Sequence, residues 1–182
     1  MPDRSVTLLA LLVLLIPAAA GAQASATYIT QADIDTVLAA PDQGIDRQIG
    51  VMDIGSANVA VGILHRDATA SGDGVSGIIH SQVTEVYYIV SGGGTLVTGG
   101  TLIDPEPRAA DSLSVTVLVG RSDAGIGRGG ESRRVSAGDI VVIPAGVFHG
   151  FSQIEDHVTY LSIRPDPDKV LPAGYVNPAL RR

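Results

Sequence analysis

Between residue 46 and residue 165 the chain repeatedly alternates side chains with a period of two. Val59, Val61 and Ile63 interleave with Ala60 and Gly62, the pattern of a strand whose two faces meet different surroundings. Further β-rich stretches fall at 47–54, 76–80, 85–90, 95–98, 112–119, 133–135, 140–143, 148–152 and 158–163. Turn-forming clusters separate them, at 55–58, 71–74, 91–94 and 123–130. Short strands at this spacing predict an all-β sandwich or barrel, with the 22 glycines available for its corners. One stretch departs from the pattern. Thr30 followed three residues later by Asp33 makes an N-terminal cap, and Ile34, Val37 and Leu38 follow at helical spacing until Pro41. The expected order is therefore a short helical arm over 25–45, a β-barrel over 46–165 and a tail over 166–182. Pro165 and Pro167 end the last strand because neither can donate to a ladder.

The first 24 residues carry a different signal. Asp3 and Arg4 precede an apolar run from Val6 to Ile16, then Pro17, a string of alanines and the small-x-small triplet Ala22-Gln23-Ala24. This is the layout of a cleaved secretory signal peptide. An eleven-residue apolar run is short for a bilayer-spanning helix. The expectation is a secreted protein, periplasmic in a bacterium, with no stable membrane anchor after cleavage. Removing Asp3 and Arg4 with the leader leaves 18 acidic and 11 basic residues, so the net charge stays at −7. An acidic chain without a basic run is a poor nucleic-acid binder, and a small molecule is the expected partner. The chain has no cysteine, which excludes disulfides and thiolate metal sites.

Candidate chemistry rests on few residues. The four histidines are His65, His80, His149 and His157. His80 precedes Glu85 by five positions, and Pro144-Ala145-Gly146 precedes His149. An inward His at one strand end and an inward Glu beyond a tight turn can meet inside a barrel, and a corner at Pro144 and Gly146 can return His149 to the same point. Two neutral imidazoles and a carboxylate suit one divalent transition metal, Fe, Mn, Ni, Zn or Cu, with positions left open. Buried without a partner, Glu85 would be costly, and a cation is the simplest compensation. Tyr87 shares the parity of Glu85 and Phe151 that of His149, so both are candidate pocket residues or core packing. His157, beside Glu155 and Asp156, reads as solvated, and Arg133-Arg134 as a charged strand edge.

The strings His80-Ser-Gln-Val-Thr-Glu85-Val-Tyr-Tyr-Ile-Val-Ser-Gly92 and Gly138-Asp-Ile-Val-Val-Ile-Pro144-Ala-Gly146-Val-Phe-His149 resemble the two motifs of the cupin superfamily. The resemblance implies a jelly roll, or double-stranded β-helix, with a metal inside one end of the barrel, and it implies a homodimer. Cupins often carry His-x-His before the glutamate; here Ile78 takes the first position. Three residues hold the ion, or Gln82 or His65 supplies a fourth ligand, or the site has lost its metal. Three functional classes follow: a metal-dependent dioxygenase, isomerase or lyase acting on a small polar molecule, a non-catalytic ligand- or metal-binding barrel, and a metal-free barrel.

Overall fold

The structure, a computed structural model, describes residues 25–70 and 72–181; the expected leader at 1–24 lies outside the described residues. The helix α1 (Gln31–Ala39) forms where the apolar spacing places it. Thr30 accepts from the Asp33 amide, and the Asp33 carboxylate accepts from the Thr30 amide, a reciprocal cap.

Nine strands follow among the described residues: β1 (Asp46–Asp53), β2 (Asn58–Thr69), β3 (Val75–His80), β4 (Glu85–Thr98), β5 (Thr101–Pro107), β6 (Ser122–Arg128), β7 (Glu131–Ser136), β8 (Ile140–Ile143) and β9 (His149–Asp166). All pair antiparallel. One sheet runs β1-β2-β9-β4-β8 and the other β5-β6-β3-β9-β4-β7. The long strands β4 and β9 belong to both sheets, which makes the protein an all-β jelly-roll barrel with one short N-terminal helix. β4 bends between sheets at Gly92–Gly94, where its register with β9 breaks. Gly92 sits at φ +67°, and a Cβ there would stand 2.0 Å from the His157 carbonyl oxygen. Only glycine fits both demands.

Three expectations change. Residues 112–119 are not a strand; Ser114–Leu118 forms a short π-helical turn. Valine and threonine favour strands only when they pack against neighbours on a sheet, and no residue of this turn is buried. Residues 101–107, which fall outside the expected strands, pair with β6 as the edge strand β5, where Pro105 and Pro107 are tolerated because an edge has an unpaired side. Residues 123–130, expected as a turn cluster, lie largely within β6.

The barrel interior holds Leu64, Tyr87, Ile89, Leu96, Ile143, Val158 and Tyr160. On β2 the inward set is Ala60, Gly62, Leu64 and Arg66. The outward set, Val61 and Ile63, is packed under α1 with Val37 and Ile49. The C-terminal segment covers one end of the barrel, with Leu171 buried against Val51, Ala60 and Val83. Asp166 holds that segment by accepting from the Val170 and Leu171 amides.

Candidate metal centre

His80 ends β3, Glu85 begins β4 and His149 begins β9. The turn after β8 brings them together: the Gly146 amide donates to the His80 carbonyl at 2.8 Å, and the Ala145 amide to Thr84 Oγ1. Gly146 takes φ +82° at this corner. Both imidazole Nε2 atoms lie 3.1 Å from Glu85 Oε2, and all three side chains are buried. His80, Glu85 and His149 thus form a buried group that could hold a metal ion, the one such group among the described residues.

The imidazole tautomers bear on whether an ion fits. His149 Nδ1 lies 3.0 Å from the Val147 carbonyl, which can only accept, so Nδ1 carries a proton. Ser122 Oγ donates to the Gly120 carbonyl and is thereby left to accept from His80 Nδ1 at 2.9 Å. In the neutral rings both Nε2 lone pairs then point at a carboxylate oxygen. Burial lowers the His80 pKa, so an extra proton there is disfavoured. A cation between the three atoms removes the clash, and backbone and hydroxyl partners on the far nitrogens are the usual supports of metal-binding histidines.

The carboxylate is not otherwise uncompensated, which corrects the expectation that a bound ion is the simplest counter-charge for Glu85. Arg164, completely buried, donates from Nε to Glu85 Oε1 at 3.0 Å and from Nη2 to Asp46 Oδ2 at 2.6 Å. Nε is shared with Ser162 Oγ, and Nη1 reaches Gln48 Oε1 and the Leu118 carbonyl. Gly62 leaves it room, since a Cβ would stand 3.0 Å from Nη1. Ser162 Oγ also donates to Glu85 Oε1 at 2.7 Å, and the Tyr87 hydroxyl to Oε2 at 2.9 Å. Burial pushes the Glu85 carboxyl up, but donation from an imidazole Nε2 when a ring carries a proton there, together with the Arg164 charge, holds the group well below the usual carboxylate range. For Arg164, the loss of solvent is outweighed by Asp46 and Glu85, which raise its pKa. Burial and the Glu85 charge hold Tyr87 well above the usual phenol range, so it stays a neutral donor.

The two residues expected as possible fourth ligands lie elsewhere. His65 belongs to the outward set of β2; its Nδ1 meets Thr159 Oγ1 at 2.8 Å and its ring stacks on His157. His157 is not simply solvated, because Ser91 Oγ and Asp156 engage its two nitrogens. Gln82 is at the surface, donating to Asp168. Ile78, by contrast, lines the same cavity as the trio.

That cavity has a volume of about 260 Å³. Tyr87, Phe151 and Tyr160 form its aromatic wall, with Tyr87 and Tyr160 4.4 Å apart between ring centroids. Ser114, Leu118 and Val119 of the π-turn segment and Arg108 complete it. Arg66 also lines it and donates from Nε to the Tyr160 hydroxyl at 3.0 Å. Burial works against the Arg66 charge, yet Tyr160, Tyr87 and Asp46 together raise its pKa. Neither Arg66 nor Arg164 was singled out from the sequence. The signal available was an arginine at the inward parity of each strand, which required knowing which face was inward.

No family model and no curated protein matches the sequence. Among solved structures, the chain is similar to an uncharacterized conserved protein with a double-stranded beta-helix domain from Klebsiella pneumoniae, at 14% identity over 79% of this chain and 93% of that one, TM-score 0.42. It is also similar to a cupin protein from Bacteroides fragilis, at 21% identity over 65% of this chain and 72% of that one, TM-score 0.36. A third is a DMSP lyase from Ruegeria pomeroyi, at 13% identity over 70% of this chain, TM-score 0.38. The chain spans about half the length of that lyase, 47%.

Proposed function

We propose that this protein is a secreted barrel that holds one divalent transition metal on His80, Glu85 and His149 and offers it to a small polar molecule in the adjoining cavity. The observation that carries the reading is the convergence of two Nδ1-protonated imidazoles on one carboxylate oxygen, each at 3.1 Å. Donors bonded to one ion at about 2.1 Å and at right angles to each other stand about 3 Å apart, so the spacing fits adjacent ligands. When bound, a divalent ion with open positions serves as a Lewis acid toward a ligand oxygen. The chain's own residues have separate tasks. Ser162 and Arg164 hold Glu85 Oε1, which keeps Oε2 aimed at the imidazoles. Ser122 and the Val147 carbonyl keep both Nε2 atoms free to ligate. Tyr87 binds the carboxylate as a neutral donor and is held too basic to lose its proton near neutral pH.

Elemental analysis of tag-free protein tests this, comparing wild type with His149→Ala and Glu85→Gln. About one equivalent of metal in wild type and a loss in both variants is the expected result; equal metal content in all three sinks it. Export is tested separately, by the N-terminal sequence of the mature protein, expected to begin at Ser25. A second reading is a metal-free barrel, favoured by the complete hydrogen bonding of Glu85 to Arg164, Ser162 and Tyr87. The same elemental analysis separates the two.

A further inference from the structure

We infer that the cavity takes a small carboxylate, and that Arg66 is the residue that reads it. The inference rests on the proposed function for the metal as a second anchor, but its first anchor is in the chain itself. Arg66 faces inward on β2, and only its Nε is engaged, by the Tyr160 hydroxyl. Its two terminal nitrogens meet no acceptor among the described residues. They are the forked pair that binds a carboxylate through two parallel hydrogen bonds. The Tyr160 hydroxyl, already accepting from Arg66 and held protonated by burial, has its own proton without an acceptor among the described residues. Guanidinium and phenol therefore present donors side by side to one cavity.

Charge around the chamber agrees. Its acids are Asp46 and Glu85, and both are engaged by the single guanidinium of Arg164. Arg66 balances what remains, Arg108 adds a positive charge from the exposed side, and a divalent ion would add two more. The chamber is thus electropositive inside a chain of net charge −7, which opposes non-specific uptake of anions at the surface while favouring one within. The size restricts the occupant further: about 260 Å³ is the liquid volume of roughly nine water molecules, room for a short mono- or dicarboxylate and too little for a nucleotide or a sugar chain.

The test is calorimetric titration of acetate and malonate, with neutral acetamide as the control, into wild type, Arg66→Gln and Arg66→Lys. Each protein is run as purified and after chelation, with metal content and thermal midpoint recorded. We expect both carboxylates to bind wild type and acetamide not to. Arg66→Gln should bind about ten- to a hundredfold more weakly, the loss of a charge-assisted pair. Its metal content should match wild type. Arg66→Lys, which keeps the charge but not the fork, should fall between and guards against a folding defect in the glutamine variant. If wild type ignores both carboxylates, or Arg66→Gln binds them as well as wild type, or acetamide binds equally, the inference is wrong. Carboxylate binding that depends on Arg66 in protein carrying no metal supports the anion site while removing the metal reading.

Discussion

Arg164→Met removes the only cation among the described residues that is completely enclosed in the barrel, and its cost follows from what it leaves behind. Five acceptors lose a donor: Glu85 Oε1, Asp46 Oδ2, Gln48 Oε1, Ser162 Oγ and the Leu118 carbonyl. Two of these belong to carboxylates, and Glu85 is 2% exposed. Truncating one member of a buried ion pair costs about 3–5 kcal/mol, because the partner charge stays behind without compensation. For a domain of this size, about 2–4 °C per kcal/mol, the thermal midpoint should fall by about 6–20 °C. The pH dependence should weaken as well. In the wild type the folded Glu85 pKa lies below its unfolded value, so its contribution is fully present above about pH 4.3 and declines as pH falls toward the folded pKa. Without Arg164 the folded pKa rises toward the unfolded one, so the variant loses less stability on acidification than the wild type does. The wild-type-minus-variant difference should therefore shrink as pH drops from 7 to about 4. With no tryptophan in the chain, far-UV circular dichroism or scanning calorimetry is the suitable assay. A variant melting within about 2 °C of wild type at pH 7 would refute the reasoning, since a midpoint that close means under about 1 kcal/mol for the whole network.

Three more expectations follow from single contacts. Gly92→Ala, which forces a Cβ to 2.0 Å from the His157 carbonyl at φ +67°, should destabilise by about 1–3 kcal/mol or more, measured by denaturant titration. Ser122→Ala frees His80 Nδ1 and should weaken metal binding about tenfold or more, read by competition against a chromophoric chelator; unchanged affinity would dismiss the tautomer argument. Ile78→His places an imidazole on β3, two residues before His80 and on the cavity wall, and should tighten metal binding in the same competition, whereas no gain would mean that the added ring cannot reach the ion.

Much of the candidate site was legible before any coordinates. His80, Glu85 and His149 stand in two strings whose turn residues, Pro144 and Gly146, already imply a corner, and the turn geometry then needs only local chain chemistry. What was not legible depends on which way a strand faces. Alternation around His65 shows that it shares a face with Val61 and Ile63, but the face proves to be the one under α1, so Arg66 rather than His65 enters the barrel. On β9 the parity itself shifts. His149 and Phe151 line the cavity, and so does Tyr160, nine residues beyond Phe151, because register breaks around Gln153 insert extra residues. Counting by twos from His149 would have sent Arg164 outward.

The amino-acid sequence alone therefore determined the strand-rich class, the capped helix, the absence of thiol chemistry and the three residues that converge. The first three depend on composition or on neighbours a few positions apart, and the last was readable because two separate strings together resemble a known motif pair. Only the tertiary structure decided what neutralises Glu85, where the C-terminal segment packs and which cation faces the cavity. Those outcomes depend on partners such as Arg164 with Asp46, 118 residues apart, and on bulges that reverse a strand's faces. A local pattern has period but no absolute phase, and the phase is set only when the sheet closes around a shared interior.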